Sequence, residues 1–185
     1  RLSDFVSVGL DFPKYDVDFE IPDHSLAAFI RHIRPNVEEA IELTLEYREL
    51  LDIPSITPPD NATEDDYERS EGIAGYVLSF SKLFRRLIEL DPQAARNEYL
   101  CWRRDDVTFQ RLRLWASSFA SIASREEFVS EVSSLSLETF WHHRAERDLL
   151  LGVRDRWAKL STDQKSVIEN LFLQGPPKWH GEEDD

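Results

Sequence analysis

Two kinds of periodicity divide this chain. Near its start apolar side chains alternate with polar ones: Val6, Val8 and Leu10, then Val17, Phe19 and Ile21 with Asp16, Asp18 and Glu20 between them. Alternation is the period of a half-buried strand, and Phe12-Pro13-Lys14-Tyr15 supplies a turn. Residues 1–22 therefore read as either a β-hairpin or an extended arm. Two strands alone are only marginally stable, so either form has to lean on the rest of the protein.

From Asp23 the period becomes that of helices. Leu26, Phe29, Ile30 and Ile33 share one face, and Pro35 interrupts the run. Asn36, answered by Glu39, reads as the cap of a second helix with Val37, Ile41 and Leu45 as its stripe. Pro54, Pro58 and Pro59 make residues 52–62 a loop. Ile73, Val77, Phe80, Phe84 and Leu87 then follow a 4-3-4-3 spacing, with Tyr76, Leu83 and Leu90 as a second stripe, so this helix is expected to bury a broad face.

Asp91-Pro92 ends that helix and opens another, which runs to about Trp102; a further one starts at Val107 with Phe109, Leu112, Ala116 and Phe119 in register. Ser124 to Glu127 and Ser161 to Gln164 spell capping boxes. The first opens a helix with Phe128, Val132 and Leu135 inward, and the second one with Val167, Ile168, Leu171 and Phe172. Ser136 reads as the cap of a long helix between them, carrying Leu150, Val153, Trp157 and Leu160. Gly175-Pro176-Pro177 stops the last helix.

The expected fold is all-α: an irregular bundle or a stack of helical hairpins, with seven to nine helices over residues 23–180, the arm before it and an acidic tail at 181–185 after it. Leu90-Asp91-Pro92 resembles the end of a tetratricopeptide repeat. In that register, however, Glu68 falls where glycine is required and Phe80 where a small residue is required, so the repeat does not fit.

Charge changes the picture because it is uneven. Residues 1–81 carry 6 basic and 18 acidic side chains, residues 82–113 carry 8 and 5, and residues 114–185 carry 8 and 13, within a total of −14. The acidic N-terminal part repels nucleic acid and anionic lipid. No apolar run approaches the roughly 20 residues of a membrane span, and the first residues lack the grammar of a secretory signal, so the expected location is cytoplasmic. Methionine is absent even from the first position, which reads as the mark of a fragment. The lone cysteine, Cys101, excludes an intrachain disulfide and, flanked by Leu100 and Trp102, is expected to be a buried thiol.

Four carboxylates, Glu38, Glu42, Glu46 and Glu49, fall on one face of a helix, with Glu39 adjacent and Arg48 the one nearby cation. Like charges at this spacing repel weakly, so the stripe needs solvent or a basic partner. Arg85, Arg86, Arg103, Arg104 and Arg111 form a candidate basic patch with Arg96, Arg113, Trp102 and Trp115 nearby. Glu89, Glu98, Asp105 and Asp106 interleave with these arginines and are positioned to pair with them, which makes nucleic-acid binding the weaker reading. His142, His143 and Glu146 lie within one turn, but a third protein ligand is not evident nearby and ion pairing with Arg144, Arg147 and Asp148 explains them better than a metal does. Single scattered glycines make no phosphate loop, and no histidine has an arginine four to six residues upstream, the spacing of HEPN-type nucleases. No catalytic residue, metal or cofactor is expected.

From Leu87 to Trp179, the run Ile88-Glu89-Leu90-Asp91-Pro92, then Arg111 to Ala116, Phe140-Trp141, Arg147 to Leu150 with Arg156-Trp157, and Ile168-Glu169 to Pro177 resembles a known region. It is the helical C-terminal region of large bacterial antiphage-defence proteins whose N-terminal part is sirtuin-like. The resemblance implies a helical scaffold or sensor arm, with any NAD-cleaving chemistry in another domain, and it carries no catalytic residue onto this chain. The expected function is therefore a non-catalytic interaction or regulatory module within a larger protein, with a protein partner or neighbouring domain as its ligand. The rival expectation is an acidic inhibitor, such as an immunity protein or nucleic-acid mimic, whose carboxylates block a basic site.

Overall fold

The computed structural model describes residues 21–46, 53, 55–58 and 72–177. These contain seven helices and one isolated helical turn, and no strand. The described residues are all-α, as their periodicity predicts. Of the hairpin or arm expected at residues 1–22, residues 1–20 lie outside the described residues, as does the tail from Gly181. Among the described residues no helix is long and apolar enough to cross a membrane.

The chain divides into two compact units at Leu100 and Cys101. The first contains α1 (Asp23–Glu46), α2 (Gly72–Leu90) and α3 (Pro92–Leu100), each packed on the others. Its core is Leu26, Ile30, Val37, Ala40 and Ile41 from α1 against Ile73, Val77, Phe80, Phe84 and Leu87 from α2, with Ala95 and Tyr99 from α3. The 4-3-4-3 stripe of α2 is thus fully buried. The second stripe is only half-buried at Tyr76 and Leu83, and Leu90 is exposed.

Pro35 does not break α1, contrary to the expectation from sequence, and Asn36 caps nothing. A proline inside a helix withdraws the hydrogen bond to the carbonyl four residues earlier, here that of Arg31. Both Pro35 and Arg31 are exposed, so water can satisfy that carbonyl. The apolar stripe continues on either side from Leu26 and Ile30 to Val37 and Ile41, and packing on α2 keeps the two halves in line. Asp91 does cap α3, its Oδ1 accepting from the Ala94 N–H at 2.9 Å.

The second unit contains α4 (Val107–Ser117), α5 (Arg125–Ser133), the single turn α6 (Leu137–Phe140), α7 (His143–Trp157) and α8 (Thr162–Leu173). Here α4 packs on α5 and α7, and α5 on α8. Leu114, Phe128, Val132, Phe140, Leu149, Leu160 and Ile168 form the core, with Trp141, Val153, Trp157, Leu171 and Phe172 around it. Both capping boxes form as their sequences predict. Ser136 caps only one turn, because the chain leaves the helical path at Trp141 and His142 before α7 begins at His143. The shift sends Leu150 outward and brings Leu149 into the core; Val167 is likewise exposed, beside the buried Ile168. Gly175 takes φ 69°, the left-handed conformation that ends the last helix.

Cys101 is exposed, which corrects the expectation of a buried thiol. It sits in the turn after α3, where the neighbouring Trp102 is buried at the edge of Phe109, ring centroids 6.1 Å apart. One large aromatic suffices to anchor this turn, and its neighbours Cys101 and Leu100 face solvent.

Candidate functional site

The acidic stripe resolves into unlike parts. Glu38 is half-buried and accepts from Arg34 Nη1 at 2.8 Å, while Arg34 Nε donates to the buried Glu98 of α3 at the same distance. Burial pulls the Arg34 guanidinium down, but the two carboxylates outweigh it and leave its pKa raised. Glu38 therefore belongs to a brace between α1 and α3. Glu39 and Glu42 stand exposed, Glu46 is the last residue of α1, and Glu49 lies outside the described residues.

The arginines of the candidate patch are engaged with carboxylates. In the first unit Arg85 faces Glu89 at 3.7 Å and Arg86 pairs with Asp23. In the second, Arg103 bonds Asp105 at 2.8 Å and Arg104 reaches Glu131 at 3.1 Å. Arg111 is buried and lies 3.7 Å from Asp148, whose side chain is wholly enclosed. Arg113, the largest fully buried side chain, makes a two-pronged contact with Glu131 at 2.6 and 3.2 Å and donates to the Trp102 carbonyl at 3.0 Å. Sequence periodicity does not reveal this, because α4 is buried on nearly every side and places two arginines inside. His142 and His143 stack on one another with centroids 4.6 Å apart, both exposed.

Asp106 caps α4, its Oδ1 accepting from the Phe109 N–H at 2.9 Å. Burial pushes its carboxyl above the usual range, against the pull of the Phe109 and Thr108 N–H groups. A raised folded pKa means the ionised cap weighs against folding at neutral pH, and that this penalty is relieved as pH falls through the folded value. Asp106→Asn, which keeps the cap without the charge, is expected to raise the urea midpoint slightly near neutrality and to match the parent once both carboxyl states are protonated. Asp106→Ala loses the cap and is expected to cost about 1 kcal/mol at either pH.

Among the described residues, each unit has a concavity beside these side chains. In the first unit a groove of about 440 Å³ runs between α1 and α2. Phe29, Ile33 and Val37 form one wall, Tyr76, Phe80 and Leu83 the other, and Ile21 and Ile73 also line it. The sequence contains these residues as apolar stripes, but only the crossing of the two helices leaves space between them. In the second unit a smaller pocket of about 330 Å³ opens at the start of α5 beside Arg125, Glu126, Arg156 and Lys159. Neither spacing nor motif marks any of those four as a functional residue, since they come from separate helices and a turn.

No family model matches the chain, and no curated protein or solved structure matches it.

Proposed function

We propose that this chain is a helical interaction module, part of a larger bacterial protein of the antiphage-defence type, which holds a protein partner or neighbouring domain on its N-terminal unit. The placement within such a protein rests on the sequence resemblance over residues 87–179. The observation that carries the interaction role is the groove between α1 and α2. Its α1 wall extends from Phe29 to Ala40 and its α2 wall from Ile73 to Leu83, about 15 Å on each side at the helical rise. That length accommodates the i, i+4 and i+7 anchors of an amphipathic helix laid along it.

Charge selects among such helices. The exposed Glu39 and Glu42 lie on the same helix that forms one wall, in a stretch of chain that is strongly acidic. The partner segment is thus apolar on one face and basic on the other.

Synthetic helical peptides with one apolar face and a net charge that is positive, neutral or negative test this by fluorescence anisotropy. The basic peptide is expected to bind best, to weaken with added salt, and to lose about tenfold in affinity on Tyr76→Ser or on combined Glu39→Gln and Glu42→Gln, as the loss of about 1.4 kcal/mol would give. Equal binding of all three peptides would refute the charge selection. If binding appears only after removal of residues 1–20, the groove belongs to the chain's own arm, and the reading of a separate partner fails.

A further inference from the structure

The pocket at the start of α5 lies wholly within the C-terminal unit and gathers more positive than negative charge. Arg125 comes from the first turn of α5, Arg156 from the last turn of α7, and Lys159 from the turn that follows it. Three cations thus face one carboxylate, that of Glu126.

Arg156 is the unusual member. It is only 3% exposed, its guanidinium carbon lies 5.6 Å above the centre of the Phe128 ring, and Nη2 donates to the Ala123 carbonyl at 2.9 Å. Its Nε finds no hydrogen-bond acceptor among the described residues. Burial and the neighbouring Arg125 charge push its pKa down, with Glu126 opposing, yet a guanidinium stays protonated in a protein. Both other buried arginines of this unit face a buried carboxylate, Arg113 that of Glu131 at 2.6 Å and Arg111 that of Asp148 at 3.7 Å. A buried cation held on an aromatic face, lining a pocket and in no ion pair among the described residues, has the character of an anion site.

Glu126 shows what that site attracts. Its carboxylate is stabilised by its own N–H and the Ser124 hydroxyl at the helix start, and it accepts from Gln164 Nε2 at 3.2 Å. The first of these contacts holds its pKa below the ordinary range most strongly. A negative charge thus already rests on the positive end of α5, and an excess of two cationic groups over that carboxylate is left for a ligand.

We propose that this pocket binds the phosphate group of a small phosphorylated molecule, with the Arg156 guanidinium, Arg125 and Lys159 as the cations that hold it. A phosphate monoester carries nearly two negative charges at neutral pH, which matches the excess, whereas a carboxylate would leave it half-compensated. The planar fork of arginine suits phosphate oxygens. The volume of about 330 Å³ exceeds the needs of a bare phosphate and falls at the lower end of small-molecule sites. The ligand therefore has an organic body as well as the phosphate.

Phenyl phosphate, inorganic phosphate and phenol, each titrated into the whole chain at constant ionic strength, provide the test by calorimetry and by the NMR signal of the Arg156 Nε–H. Phenyl phosphate is expected to bind most tightly and to shift that signal, inorganic phosphate to do so more weakly, and phenol not at all. The exposed positions allow substitution without loss of fold. Arg125→Ala and Lys159→Ala are each expected to weaken binding about tenfold, the loss of one charge-assisted contact, whereas Glu126→Gln strengthens it by removing the competing carboxylate. Arg156→Gln should abolish binding, with the melting curve reporting whether the unit remains folded. Reproduction of the effect by sodium chloride of matched ionic strength, or parent-like binding by Arg125→Ala and Lys159→Ala, would mean an adventitious ion only. Weaker binding by Glu126→Gln would equally overturn the site.

Discussion

Glu131→Gln is expected to destabilise the C-terminal unit by about 3 kcal/mol, because it leaves a guanidinium enclosed without its counter-charge. Arg113 is 1% exposed and meets both oxygens of Glu131, itself 6% exposed. Glutamine keeps the shape and one acceptor but withdraws the charge. Arg104, which also reaches Glu131, is mostly in water and loses little by the change. The complementary experiment replaces both partners: Arg113→Met with Glu131→Leu should recover most of the loss, since two apolar side chains of similar volume need no desolvation. Urea denaturation of the two variants against the parent checks both halves. If the single substitution proved as mild as a surface change, α4 would have to open enough to hydrate Arg113, and the buried character of that helix would be wrong.

Phe128→Ala is the second large effect, expected at about 3 to 5 kcal/mol, the usual cost of deleting a buried phenylalanine. Phe128 is completely enclosed in the core formed with Leu114, Val132 and Leu149. Its ring is also the surface on which the Arg156 guanidinium rests. The alanine variant therefore removes core volume and the seat of a buried cation together. Phe128→Leu fills most of the space and is expected to cost much less, while still removing the aromatic face. The proposed phosphate site then separates the two roles: the leucine variant should stay folded by circular dichroism and yet bind phenyl phosphate more weakly than the parent.

The local code was legible where a few neighbouring residues decide the outcome. The two capping boxes, the Asp91 cap and the stop at Gly175 follow from contacts within four residues, and the stripe of α2 from its period, both of which a sequence contains explicitly. Readings that needed a longer range failed at identifiable places. Pro35 reads as a break because its cost is local, whereas packing on α2 sustains α1 through it. Cys101 reads as buried because its neighbours are apolar, and the turn in fact puts Trp102 inside and Cys101 outside.

The same division holds for the candidate sites. By itself the sequence determined that the protein is helical, where most of its helices begin and end, and that its N-terminal part is acidic, since these depend on periodicity, caps and composition. Only the tertiary structure decided that Glu38 pairs with the Arg34 that braces two helices, that Arg111 and Arg113 are interior, and that a groove opens between α1 and α2. It alone brought Arg125, Arg156 and Lys159 to one pocket. The physical reason is that burial and charge pairing are properties of where helices cross, and an arginine on a helix has the same spacing whether it meets water, a buried carboxylate or an open pocket.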